Sequence, residues 1–224
     1  MDAATATRYA RQLALPEVGS AGQERLVGAR ALVVGDGLAA ETAARYLAAA
    51  GVGKLRLVGG EGTRAWDDAL RGSNPDVALE HVARPDDGHA WLAALEDVAI
   101  VVRAGFDDDS LMPAAIRRGV PLVVLRGDET GVDVVSFREH GPCPHAPLDV
   151  AAVASVPLPD GPASVVAGTL GASEALHVLI APGRGARAHT LRVPLDGGEA
   201  TAADLPWAPE CFACGGTGNE MSFQ

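Results

Sequence analysis

One stretch, residues 31–60, ALVVGDGLAAETAARYLAAAGVGKLRLVGG, constrains the chain more than any other. Residues 31–34 are a short apolar run containing β-branched side chains, and Gly35-Asp36-Gly37 breaks it. Residues 42–50 are rich in alanine, with Leu47 on the apolar side, and predict a helix that Gly51-Val52-Gly53 ends. Leu55, Leu57 and Val58 begin a second strand. Strand, helix and strand in that order form a parallel crossover, so the chain is expected to be α/β. The glycine turn at the first junction places backbone N–H groups at a helix N-terminus, a geometry suited to a phosphate. Gly35, Gly37 and Ala40 satisfy G-x-G-x-x-G/A. A helix-packing turn with no ligand satisfies the same pattern, and both readings stand at this level.

A chain of 224 residues is long enough for one α/β domain with a full core and short for two. No uninterrupted apolar run approaches a membrane span, and the N-terminal MDAATATRYARQ lacks the apolar core of a signal peptide, so a cytoplasmic location is expected. The formal charge of −11 argues against nucleic acid, whose phosphates call for clustered Lys and Arg. Lysine occurs once, as Lys54. The cysteines are Cys143, Cys211 and Cys214, an odd number that argues against a disulfide framework. Cys211-Phe-Ala-Cys214 has the spacing of half a zinc knuckle or of a redox pair.

Residues 7–13, TRYARQL, predict a short helix within an N-terminal arm, and residues 23–27 a further helical turn leading into the first strand. The pattern R-Y-x-R-Q-x-x-L-P-E-x-G-x-x-G-Q-E-R-L, followed by the glycine turn and Y-L-A-A-A-G-V-G, resembles the start of the MoeB/ThiF/HesA family, bacterial relatives of the ubiquitin-activating enzymes. The resemblance continues through residues 120–125, through residues 132–137 with Gly141-Pro142-Cys143, through AGTLGASEALHVLI at 167–180 with His177 at a lysine position, and to Cys211-x-x-Cys214-Gly215. It covers nearly the whole chain. It implies one Rossmann-like, doubly wound domain: a helical arm at 1–28, a nucleotide-binding-type half at 29–140, and a C-terminal half at 141–224 carrying the knuckle-like cysteines. The sheet is expected to be mostly parallel, with helices on both faces and added antiparallel strands near residues 132–137 and 188–193.

Such proteins bind ATP and magnesium and adenylate the C-terminal glycine of a small ubiquitin-like protein. That chemistry needs a triphosphate cradle, an acid for the ribose, carboxylates for magnesium and cations for developing charge. Against that requirement the chain departs from the family pattern at several positions. Leu38 and Ala40 replace glycines of the turn, and Asp36 puts a negative charge beside it. Gly59 stands at the acid that ends the second strand, leaving Glu61 at the second acidic position. Arg71 is the nearest arginine to the family's N-L-x-R-Q, and the phosphate-binding lysine has no counterpart. After the buried strand at 98–104, Arg103 and Phe106 stand where acids are expected. Asp107 supplies a carboxylate only after a slip of one residue, and residues 107–109 read better as a cap for a helix at 111–118, with Asp109 or Ser110 at the N-cap.

Arg11 matches the arginine that, in the family, reaches across a dimer into the partner's ATP site. Cys143, His145, Cys211 and Cys214 form a possible Cys₃His structural zinc set, with Ala146 at a lost cysteine position; free thiols are the alternative. His81, His89 and His189 have no acid, serine or cysteine at suggestive spacing, and His177 reads as packed or surface. The leading expectation is a divergent family member with a degenerate ATP site. It would act by binding itself, an active relative, or a peptide or carrier protein, as a homodimer or heterodimer. The rivals are a working adenylyltransferase using Arg71, Glu61 and Asp107, and a Rossmann-type protein for another nucleotide or metabolite.

Overall fold

The computed structural model describes residues 3–105, 110–137, 158, 161–182 and 189–205. The arm forms α1 (Ala3–Arg8), α2 (Ala10–Leu13) and α3 (Gly19–Gly28). Next come β1 (Arg30–Val34), α4 (Leu38–Ala50) and β2 (Lys54–Val58), the crossover that the sequence predicts, with the helix starting one turn earlier. A 3₁₀ turn (Glu61–Trp66) and α5 (Asp67–Ser73) lead to β3 (Ala78–Val82). Then follow α6 (Gly88–Ala94), β4 (Ile100–Ala104), α7 (Leu111–Arg118), β5 (Leu122–Gly127) and β6 (Gly131–Phe137). The long helix α8 (Pro162–Ile180), β7 (His189–Pro194) and β8 (Thr201–Asp204) complete the described elements.

The eight strands make one sheet in the order β3-β2-β1-β4-β5-β6-β7-β8. The first five are parallel; β6 and β7 are the antiparallel strands expected near residues 132–137 and 188–193, and β8 adds a third that the sequence does not predict. Strand residues alternate between two cores. Ala31, Val33, Leu55, Leu57, Ile100 and Val102 pack under α3, α4, α5 and α8. Leu32, Val34, Val58, Val101, Leu122 and Val124 pack with Trp91 of α6 and with Leu111 and Ala115 of α7.

Among the described residues, α8 alone has the length and hydropathy of a membrane span, which corrects the expectation that no apolar segment approaches one. Half of it is buried within the fold. Its glycines explain why. A Cβ on Gly168 would lie 2.5 Å from the Ala39 carbonyl oxygen, and one on Gly171 would collide with the Leu125 side chain. The G-x-x-G spacing thus lets the helix pack directly on α4 and on the sheet, as a core helix does. At α7, Ser110 takes the N-cap position with no side-chain cap bond, and Asp109 lies outside the described residues.

Candidate functional site

The strand order reverses between β1 and β4, because β1 leads through α4 to β2 on one side while β4 leads through α7 to β5 on the other. In open α/β sheets the crevice at the carboxyl ends of the strands flanking such a switch is where ligands bind. Here that crevice is bounded by Gly35-Asp36-Gly37 after β1, Gly59-Gly60-Glu61 after β2, and Arg103-Ala104-Gly105 at the end of β4.

Gly35 is held tightly. Its N–H donates to the Val58 carbonyl at 2.9 Å, its φ is +139°, and a Cβ there would collide with the Ala104 carbonyl oxygen. Gly37 is the N-cap of α4 in extended geometry, and Ala40, one turn into the helix, is fully buried. Gly59 packs against Gly35 in turn. A Cβ at Gly59 would lie 2.5 Å from Thr63 Cγ2 and 2.6 Å from the Gly35 carbonyl oxygen. Asp36 is exposed, and its Oδ2 is 3.5 Å from the Cβ position of Gly60. Glu61 is exposed at the start of the 3₁₀ turn. Arg103 is only 5% exposed and pairs in register with Val34.

Arg71 does not reach the turn. It lies half-exposed on α5, where Nη1 donates to Asp67 Oδ2 at 3.0 Å, one helical turn back. Lys54 sits at the opposite, N-terminal end of the sheet and donates to Glu80 at 2.6 Å. That bond, with a second from Arg56, holds the Glu80 carboxyl below the usual range despite partial burial.

The arm is anchored beneath the C-terminus of α4. Tyr9 is 3% exposed, and burial pushes its phenol up even with Asn74 as a hydrogen-bond partner. Gln23 Nε2 donates to the Ala50 carbonyl and Asn74 Nδ2 to the Ala48 carbonyl, both at 3.0 Å. Gly51, at φ +98°, leaves room for Tyr9 and Gln23 where a Cβ would meet both. Arg11 lies two residues beyond this anchor, on α2, and is exposed. Asp107, Cys143, His145, Cys211 and Cys214 lie outside the described residues. Among the described residues no group of three or more His, Cys, Asp or Glu is placed to hold a metal.

Two histidines have partners that sequence spacing does not reveal. His189 on β7 pairs with Glu174 on α8 at 3.2 Å. His81 on β3 places Nε2 2.8 Å from Asp67 Oδ1 and Nδ1 3.3 Å from Thr63 Oγ1. Thr63 is 3% exposed and also donates its hydroxyl to the Gly60 carbonyl at 3.0 Å. Burial by itself would raise the Asp67 carboxyl, but the bonds and charges of His81 and Arg71 hold it below its ordinary value. His177 is exposed, in keeping with the surface reading.

The pattern of the ThiF family matches residues 9–61, the arm together with the crossover. The chain is 31% identical to the SAMP-activating enzyme E1 of Haloferax volcanii, over 96% of this chain and 91% of that one. It is 34% identical to the adenylyltransferase and sulfurtransferase MOCS3 of Mus musculus over 93% of this chain, and spans 52% of that relative. The fold is similar to the crystal structure of Escherichia coli MccB with AMPCPP and MccA, at a TM-score of 0.74 and 15% identity, over 93% of this chain and 74% of that one.

Proposed function

This chain belongs to the ThiF family, and from that premise we propose that it uses the family scaffold to bind a protein or peptide partner, with a crevice that no longer takes magnesium–ATP. The observation that carries this reading is Arg103. An arginine 5% exposed stands at the end of β4 beside the switch point, at the first of two positions where the resemblance asks for acids, so a cationic side chain replaces a carboxylate there. The contact of Gly59 with Gly35 and Thr63 supports it, because no side chain fits where the ribose acid belongs. Arg71 is committed to Asp67, and the lone lysine lies at the far end of the sheet. The residues at the crevice therefore do not suit magnesium–ATP. Arg11, exposed beside a firmly anchored Tyr9, is available to a second copy of the chain or to an active relative.

The second reading is a working adenylyltransferase of a ubiquitin-like carrier or a peptide. It is favoured by 31% identity to a protein named as an E1 activating enzyme over almost the full length of both chains. Calorimetric titration with magnesium–ATP separates the two. No heat of binding at millimolar nucleotide is the expected result. Micromolar binding that disappears in Gly37→Val, together with carrier-dependent pyrophosphate exchange, would establish the enzyme instead. If the chain acts as the arginine donor of a mixed dimer, Arg11→Ala lowers the partner's activity while dimerisation persists. An unchanged partner activity removes that role.

A further inference from the structure

We propose that the N-terminal arm, residues 3–18, is a latch. Tyr9 is its one deep tie, a socket of Gln23, Gly51 and Asn74 receives it, and the arm docks and undocks as a unit while the rest of the fold stays intact. Docking also sets where Arg11 is presented, and that consequence rests on the reading of Arg11 given above.

The arm is held through a single side chain. Among residues 4–18 only Tyr9 is buried, and residues 14–17, which join α2 to α3, are all exposed. Among the described residues, the backbone hydrogen bonds that residues 3–18 make beyond their own helices stay within the arm or pass to the first turn of α3. Arg8 adds an ion pair with Asp76 at 3.4 Å, but both side chains face water, where such a pair contributes little. The helices α1 and α2 have six and four residues, too few to persist without a surface to pack on. Burial of one phenol ring is thus set against the entropy of ordering the whole arm, a balance that belongs to the weakly held end of a structure.

The socket, in contrast, is built without the arm. Gln23 is fully buried and donates to the Ala50 carbonyl at 3.0 Å. Asn74, 2% exposed, donates to the Ala48 carbonyl at 3.0 Å and accepts the Asp76 N–H at 3.0 Å. These bonds tie both amides to the last turn of α4 or to their own loop, and none of them involves Tyr9. Gly51 supplies the floor: a Cβ there would lie 2.7 Å from Tyr9 Cζ and 2.5 Å from Gln23 Nε2. A receptor already fixed by the body of the fold can lose its occupant and keep its shape. Undocking is therefore a local event.

Tyr9 also joins the two helices of the arm. Its N–H donates to the Thr5 carbonyl at 3.1 Å, and its carbonyl accepts the Leu13 N–H at 2.9 Å. The first turn of α2, which carries Arg11, thus starts from the anchored residue. Docked, the arm holds Arg11 beside the C-terminus of α4; undocked, it releases Arg11 together with α2.

Hydrogen exchange of amides 5–13, together with tryptic cleavage after Arg8 and Arg11, tests the latch. In the natural chain these amides should exchange more slowly than in a free peptide and faster than those of β1 and α4. Tyr9→Ala is expected to speed both exchange and cleavage in the arm by at least about tenfold, since a buried aromatic ring is removed. The amides of β1 and α4 should keep their natural rates. Tyr9→Phe, which keeps the ring and loses the hydroxyl, should loosen the arm by a smaller factor. Failure of Tyr9→Ala to fold, or an equal loss of protection in β1 and α4, overturns the proposal, because the body would then depend on the arm. Unchanged arm protection in Tyr9→Ala overturns it as well, as does an arm that exchanges like a free peptide in the natural chain. Arg11→Ala keeps the two ideas apart. If it leaves both arm protection and the partner's activity unchanged, the role of Arg11 falls and the latch stands.

Discussion

Gly59→Asp, which restores the acid expected at the end of β2, is predicted to destabilise the protein and to restore no nucleotide binding. The cause is contact rather than backbone conformation, since Gly59 is not among the residues with positive φ. A Cβ at this position begins 2.5 Å from Thr63 Cγ2 and 2.6 Å from the Gly35 carbonyl oxygen. Only the first neighbour is a side chain. The second is backbone fixed by the Gly35–Val58 hydrogen bond and by the close approach of Ala104. Overpacking of this kind costs about 1–3 kcal/mol. Against a total stability of roughly 5–15 kcal/mol, that shifts a urea midpoint visibly. Thr63→Ser in the Gly59→Asp background removes the offending methyl and should recover part of the loss. The two changes are then non-additive by more than about 0.5 kcal/mol, as expected for residues in contact. An unchanged midpoint together with newly acquired magnesium–ATP binding would mean that the crevice opens readily and that Gly59 alone silences it.

That pair of residues also marks where the sequence stops being informative. The alternation and glycine breaks of residues 31–60 predict β1, α4 and β2, because each signal is local. The absence of an acid at Gly59 is equally visible. The reason for the absence is not, since it lies in Gly35 and Thr63, which reach that point through the fold. His81 is the clearest case. Its partners are 14 and 18 residues away in sequence, on α5 and in the 3₁₀ turn, so no spacing rule finds them. The edge strands were illegible for a different reason. Ala78–Val82 and Thr201–Asp204 carry little β-branched or aromatic content, and each forms because a neighbouring strand offers a free edge. Arg103 sits between these cases. Its register against the family pattern is readable, whereas its burial follows from the cover that α6 and α7 give that face of the sheet.

Gly35→Ala is expected to be the most damaging single methyl in the crevice. Two separate costs act there. At φ +139° the backbone occupies a region that L-residues rarely adopt, which costs about 1–3 kcal/mol. The added Cβ also collides with the Ala104 carbonyl oxygen and lies 3.1 Å from Ala40 Cβ. Relief requires β1 and β4 to separate where Val34 pairs with Arg103, in the middle of the parallel sheet, or α4 to move off its fully buried Ala40. Together the two costs come to about 3–5 kcal/mol. For a chain of this size each kcal/mol is worth roughly 2–4 °C, so the melting temperature should fall by about 10 °C. Gly72→Ala provides the control. It lies inside α5 with nothing within 4 Å of its Cβ position, and the substitution should stabilise by about 0.5–1 kcal/mol. If Gly35→Ala melts like the natural protein, the ends of β1 and β4 stand farther apart than their pairing indicates. The switch point would then have room for a ligand beside Arg103, and the case against a nucleotide would rest on charge alone.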